Sequence, residues 1–100
     1  MEYTSKQRAY LRSEAQELPA IVMVGKEGLT DSVVTALKEA VDHHELVKVK
    51  FQAFKEDVRE ISFSLAEKAD CDLISTTGFT AVFFKQKEKK EERKYNIQFF

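Results

Sequence analysis

The amino-acid sequence predicts a single α/β domain in which a mixed four-stranded sheet packs on helices. Three observations lead there. Apolar residues switch along the chain between the 3.6-residue spacing of helices and the alternation or short unbroken runs of strands. The segments follow in the order α-β-α-β-α-β-β, and strand–helix–strand alternation closed by a hairpin mixes parallel with antiparallel pairing. A length of 100 residues suits one core and is too short for two.

The first helix opens at Thr4, with Gln7 three residues on, the spacing of a capping box. Leu11, Ala15 and Leu18 then share one stripe, and Arg8 and Arg12, four apart, line its edge. Pro19 closes the helix, since its ring and missing N–H oppose continuation. Ala20 to Val24 is a β-branched run between Pro19 and Gly25 and reads as a strand buried on both faces or central in the sheet. A second helix starts at Thr30, an N-cap residue, with Asp31 at the positive end of the helix dipole. Val33, Val34, Leu37, Ala40 and Val41 form its apolar stripe, and it ends near His43 and His44.

Leu46 to Phe51 alternates, Val47, Val49 and Phe51 facing one way and Lys48 and Lys50 the other, as in a strand with one wet face. A third helix over Glu56 to Asp70 stacks Val58, Ile61, Leu65 and Ala69. Asp72 to Thr77 and Thr80 to Lys85 are two strands around the tight turn Gly78-Phe79. Phe51, Phe63, Phe83 and Phe84 are expected in the core or on sheet faces. Phe79 falls at the turn, where packing beneath the turn and stacking on an unpaired base are both open to it.

Charge narrows the function. The formal net charge is -1, which disfavours a nucleic-acid binder held by bulk attraction. The balance is zero over residues 1–30, -4 over 31–75 and +3 over 76–100, so a neutral total hides an acidic middle and a basic end. The longest apolar run, Ala20 to Val24, falls far short of the ~20 residues of a membrane-spanning helix. Met1 to Lys6 contains no apolar segment of the secretory kind, and Cys71 is the single cysteine, so the expected compartment is the cytoplasm.

No catalytic constellation emerges. His43 and His44 are adjacent, so they cannot form the i, i+4 pair of a zinc site, and neither a metal nor a cofactor is expected. Cys71 lacks a positioned base. The acidic pairs at helix ends cap and solubilise. The feature with chemistry is Gly25-Lys26-Glu27-Gly28, a Gly-x-x-Gly between a buried strand and a helix. Glycines let a ligand approach the backbone, and the helix that follows presents unpaired N–H groups suited to phosphate. A plain strand-to-helix turn explains the same glycines, and the local pattern leaves both readings open.

Four blocks carry a wider resemblance. Thr4 to Arg12, Val24 to Thr30, His44 to Lys50 and Gly78 to Lys85 resemble, in order and spacing, the signature blocks of the CRM domain, the chloroplast RNA splicing and ribosome maturation domain. Its stand-alone bacterial members are the YhbY-like proteins. The resemblance implies a fold similar to the C-terminal domain of translation initiation factor three and a domain over residues 1–85, followed by a basic tail over 86–100. It also implies RNA contacts at Arg8, Arg12, Gly25, Lys26, Glu27, Gly28, Thr30 and Lys85. The implied partner is RNA, ribosomal RNA of the large-subunit precursor, bound during ribosome assembly; the chain itself is expected to be a monomer and, with no catalytic constellation, not an enzyme. A protein-interaction module that docks on a ribosomal protein or assembly factor without touching RNA is the alternative, motivated by the acidic middle. Where the family usually has Gly after the third helix stands Asp70, which tolerates a left-handed cap.

The run Lys85 to Lys94 is expected to be a solvated tail or a fluctuating helix. Tyr95 to Phe100 alternates like a strand that would cover a sheet edge.

Overall fold

A computed structural model describes residues 2–99. Met1, in the stretch read for a leader segment, and Phe100, last in the alternating terminal stretch, lie outside the described residues. The order is α1 (Ser5–Ala15), β1 (Ala20–Val24), α2 (Asp31–His44), β2 (Leu46–Phe51), α3 (Val58–Ala69), β3 (Asp72–Thr77) and β4 (Thr80–Phe84). The strands form one sheet, β1-β2-β4-β3, with β1 parallel to β2 and the other pairs antiparallel. The α/β domain with a mixed four-stranded sheet is therefore present as the sequence predicts.

Local rules set the boundaries. Thr4 Oγ1 accepts from the Gln7 N–H at 3.1 Å while Gln7 Oε1 accepts from the Thr4 N–H at 2.9 Å, closing the capping box. Thr30 Oγ1 caps α2 by accepting from the Val33 N–H at 3.2 Å. Asp70 ends α3 at φ 54, ψ 52, the left-handed cap that its short side chain tolerates. The start of α3 falls at Val58, two residues later than the sequence suggested, because Glu56 belongs to the turn that leads into it.

The sheet separates two apolar clusters. On one face Val22, Val24, Val47, Val49, Phe51 and Phe83 pack under α2 and α3. On the other, Leu46, Ile74, Val82 and Phe84 pack under Leu11 and Ala15 of α1 together with Tyr95 and Ile97 from beyond β4. No β1 residue belongs to this second cluster, and that corrects the sequence reading of β1. It is an edge strand buried on one face only, with Ile21 52% and Met23 44% exposed, because α1 and the C-terminal segment cover only the part of that face built from β2, β4 and β3. An apolar run records hydrophobicity; which strand has a neighbour is decided by the rest of the chain.

Two further expectations change. Phe63 does not pack the core: it lies on the solvent face of α3, 51% exposed, with the Arg59 guanidinium carbon 5.5 Å from its ring centroid. The segment after Lys85 is neither a loose tail nor a strand. It carries two 3-10 turns, Lys90–Glu92 and Ile97–Phe99, and folds back over the α1 face rather than along a sheet edge. Glu45 explains why. This residue makes the one-residue turn from α2 to β2 at φ 63, and its carboxylate, 1% exposed, accepts the Lys87 N–H at 2.9 Å and the Lys94 N–H at 2.6 Å. A buried carboxylate needs such donors, and backbone amides serve without burying a second charge. Tyr95 then seats edge-on against Phe84 at 6.2 Å between centroids.

Candidate functional site

One end of the sheet gathers three loops. The parallel strands β1 and β2 both terminate there, and the Gln52 N–H donates to Val24 O at 2.9 Å to hold the two exits together. The β3–β4 hairpin turns at the same end, since Lys50 pairs with Thr80 and the Phe51 N–H donates to Phe79 O at 2.7 Å. The resulting surface carries Gly25 to Gly28, Phe54 to Lys55, and Gly78 to Phe79.

The glycine loop is a closed turn. The Gly28 N–H donates to Gly25 O at 3.0 Å, which places Lys26 and Glu27, both exposed, at the tip. Gly28 has φ +72, and a Cβ there would lie 3.2 Å from Cε2 of Phe54, so the fold itself requires glycine. Gly25 differs: its φ is not positive and a Cβ would meet nothing within 4 Å. The loop and the first turn of α2 frame an open depression of about 340 Å³ lined by Gly25, Lys26, Glu27, Gly28, Thr30 and Val33. The N–H groups of Asp31 and Ser32, in the first turn and beyond the one that Thr30 caps, have no partner within α2 by helix geometry. A short anionic group such as phosphate would meet backbone amides, the dipole of a 14-residue helix and the Lys26 ammonium. Glu27 opposes this charge at the tip.

The other sequence-predicted site residues lie elsewhere. Arg8 Nη1 donates to Leu73 O at 3.1 Å and Ile74 O at 2.7 Å, at the irregular step of β3, and its guanidinium carbon stands 5.6 Å from the Tyr3 ring centroid. That places Arg8 beside the far edge strand, about 14 Å across three strand spacings from β1. Arg12, one turn further along α1, is exposed. Lys85 follows β4 at the end opposite Phe79, about 20 Å away along the strand. Its ammonium sits 3.7 Å from both Asp42 Oδ1 and Asp70 Oδ2, partly exposed pairs of small energetic weight. The structure thus brings Gly25, Lys26, Glu27, Gly28 and Thr30 together and leaves Arg8, Arg12 and Lys85 apart from them.

Sequence reasoning missed Phe54. It is 43% exposed at φ 55, with its ring against Gly28. The signal was a large apolar side chain in the polar stretch Gln52 to Asp57, outside any periodic segment. Phe79 is 49% exposed, and the Lys55 ammonium lies 4.6 Å from its ring centroid.

Among the described residues no three His, Cys, Asp or Glu side chains converge to hold a metal, and no helix is long and apolar enough to cross a membrane. Burial first, then the negative charge of Asp72, pushes the Cys71 thiol up to about 12, far from a nucleophile's range. Burial and a 2.7 Å hydrogen bond donated to Asp72 likewise raise Tyr3.

Comparison with known proteins agrees with this architecture. The model of the CRS1/YhbY (CRM) domain matches residues 3–85. A Bacillus subtilis protein named probable RNA-binding protein YqeI is 33% identical over 90 residues, covering 89% of this chain and 94% of its own. The Pseudomonas aeruginosa probable RNA-binding protein PA4753 is 30% identical, covering 100% and 97%. The solution structure of Staphylococcus aureus SAV1595 superposes with a TM-score of 0.78 at 26% identity, covering 95% of this chain and all of that one.

Proposed function

The chain belongs to the CRS1/YhbY (CRM) domain family, and we propose that it is an RNA-binding protein, not an enzyme, whose glycine loop grips the RNA backbone. The observation that carries this is Gly25. The fold gives it neither a positive φ nor a crowding neighbour, so a reason for glycine there is close approach by a ligand. A phosphate in the depression would take N–H groups of the first turn of α2 and the Lys26 ammonium, charge-assisted bonds worth about 1.5–3 kcal/mol each. Bases or RNA shape would then supply selectivity.

The RNA in this reading is ribosomal RNA in a precursor of the large subunit, contacted in the cytoplasm by a monomer. The family resemblance motivates the ribosomal RNA, while relatives named as RNA-binding proteins support RNA as the partner and no more than that. Arg12 and Lys85 would reach a longer RNA away from the loop. Arg8, held by two carbonyls, serves the fold first.

Gly25→Ala tests the loop. Thermal stability should be unchanged or slightly raised, because alanine restricts the unfolded chain more than glycine does. RNA affinity should fall at the same time; equal affinity would remove the loop from the interface. Co-sedimentation with ribosomal precursors tests the partner: RNase treatment should abolish it, and survival after RNase would favour docking on a protein.

A further inference from the structure

Two large aromatic side chains stand half in solvent at the loop end of the sheet, and the grip on phosphate uses neither. Phe54 is held in the left-handed region at φ 55, a costly backbone for a bulky residue, yet 43% of it remains exposed. Its ring lies so close to Gly28 that a Cβ there would approach Cε2 to 3.2 Å. The loop glycine therefore makes room for the aromatic. Phe79 is presented by the hairpin turn, anchored through its carbonyl by the Phe51 N–H, and the ammonium of Lys55, next to Phe54, lies over its ring at 4.6 Å.

Charge at this end adds an argument. Lys26, Lys50 and Lys55 are offset by Glu27, Asp31, Glu56 and Asp57 on the same loops and adjoining turns. These charges sum to -1, so bulk charge gives no net attraction for phosphate and affinity needs another source. Aromatic rings supply one that tolerates any base sequence, roughly fivefold to a hundredfold per stacked base. A continuous duplex cannot use it, because its base faces are stacked inside the helix.

We propose that Phe54 and Phe79, joined by Lys55, form a shelf beside the glycine loop on which unpaired RNA bases stack, so that the protein selects single-stranded segments over continuous duplex. The inference rests on the RNA-binding reading and deepens it. Phosphates enter the depression at Gly25 to Thr30, and the bases that follow turn onto the rings.

Fluorescence anisotropy of the whole chain tests it with two probes, a labelled single-stranded RNA of about 12 nucleotides and the blunt duplex of the same sequence. Wild type should prefer the single strand. Phe54→Ala and Phe79→Ala should each weaken single-strand binding by about fivefold to a hundredfold and move duplex binding less than about twofold. Phe79→Leu, which keeps apolar bulk but loses the ring, should behave like Phe79→Ala. Phe79→Trp introduces the chain's sole tryptophan, whose fluorescence should be quenched by the single strand. Unchanged single-strand affinity in the alanine variants, or equal losses on both probes, would overturn the shelf and leave the RNA-binding reading standing. Failure of wild type to bind either probe would overturn both.

Discussion

Gly28→Ala separates the glycine that the fold requires from the one proposed to meet RNA. At φ +72 an L-residue pays about 1–2 kcal/mol for its Cβ. The new methyl would also stand 3.2 Å from the Phe54 ring, which must shift by a few tenths of an ångström. Together these should destabilise the protein by about 2 kcal/mol, lowering the melting temperature by roughly 8–16 °C for a chain of this size. Phe54→Ala removes the crowding but not the backbone cost. The double variant should therefore be more stable than the sum of the singles by about 0.5–1 kcal/mol. Thermal unfolding followed by circular dichroism measures all three, with Gly25→Ala as a control that should not melt lower. A drop below about 4 °C for Gly28→Ala, or strict additivity with Phe54→Ala, would refute the contact on which this reasoning rests.

Other outcomes follow from the same structure. Glu45→Gln replaces one acceptor with a donor facing the Lys87 and Lys94 amides, so stability should fall by about 1.5–3 kcal/mol; hydrogen exchange should show those amides losing protection first. Arg8→Ala should cost about 1.5–3 kcal/mol through the two carbonyls it leaves, while the exposed Arg12→Ala should stay within about 0.5 kcal/mol, both read by urea denaturation. Cys71 carries a thiol raised from 9.0 to about 12, so at neutral pH it should hold about a thousandfold less thiolate than an ordinary cysteine and react slowly with disulfide reagents. A raised folded value means the unfolded chain releases its proton first. Stability should therefore be full below pH 9 and decline as pH rises toward 12, the raised Tyr3 adding to the decline.

What the sequence made legible was local. Thr4 with Gln7 and Thr30 each announce a helix start through a side chain that caps backbone N–H groups, and Asp70 announces a helix end by adopting the left-handed conformation; all three do so in the structure. The alternation of Val47 and Val49 with Lys48 and Lys50 gave the faces of β2. What escaped depends on partners distant in the chain. The exposure of Ile21 and Met23 follows from where α1 and the C-terminal segment end their cover, and no feature of the run Ala20 to Val24 encodes it. Nothing in the acidic stretch around Glu45 marks it out; only the return of Lys87 and Lys94 makes it a buried clamp. The loop of the candidate site was visible because its glycines lie three residues apart in one short stretch. Phe54 joined it through the meeting of two strand exits, which periodicity does not show.

The tip of the loop offers the most direct measurement of its contact with phosphate. Lys26→Glu removes an exposed ammonium and places a second carboxylate beside Glu27, with no buried contact disturbed. Binding of single-stranded RNA should weaken by about 1–2 kcal/mol, or roughly 5- to 30-fold in anisotropy titrations, with the melting temperature unchanged. The converse change, Glu27→Lys, should strengthen binding. Wild-type affinity in Lys26→Glu, with the fold intact, would contradict a grip on RNA by the Gly25 to Gly28 loop.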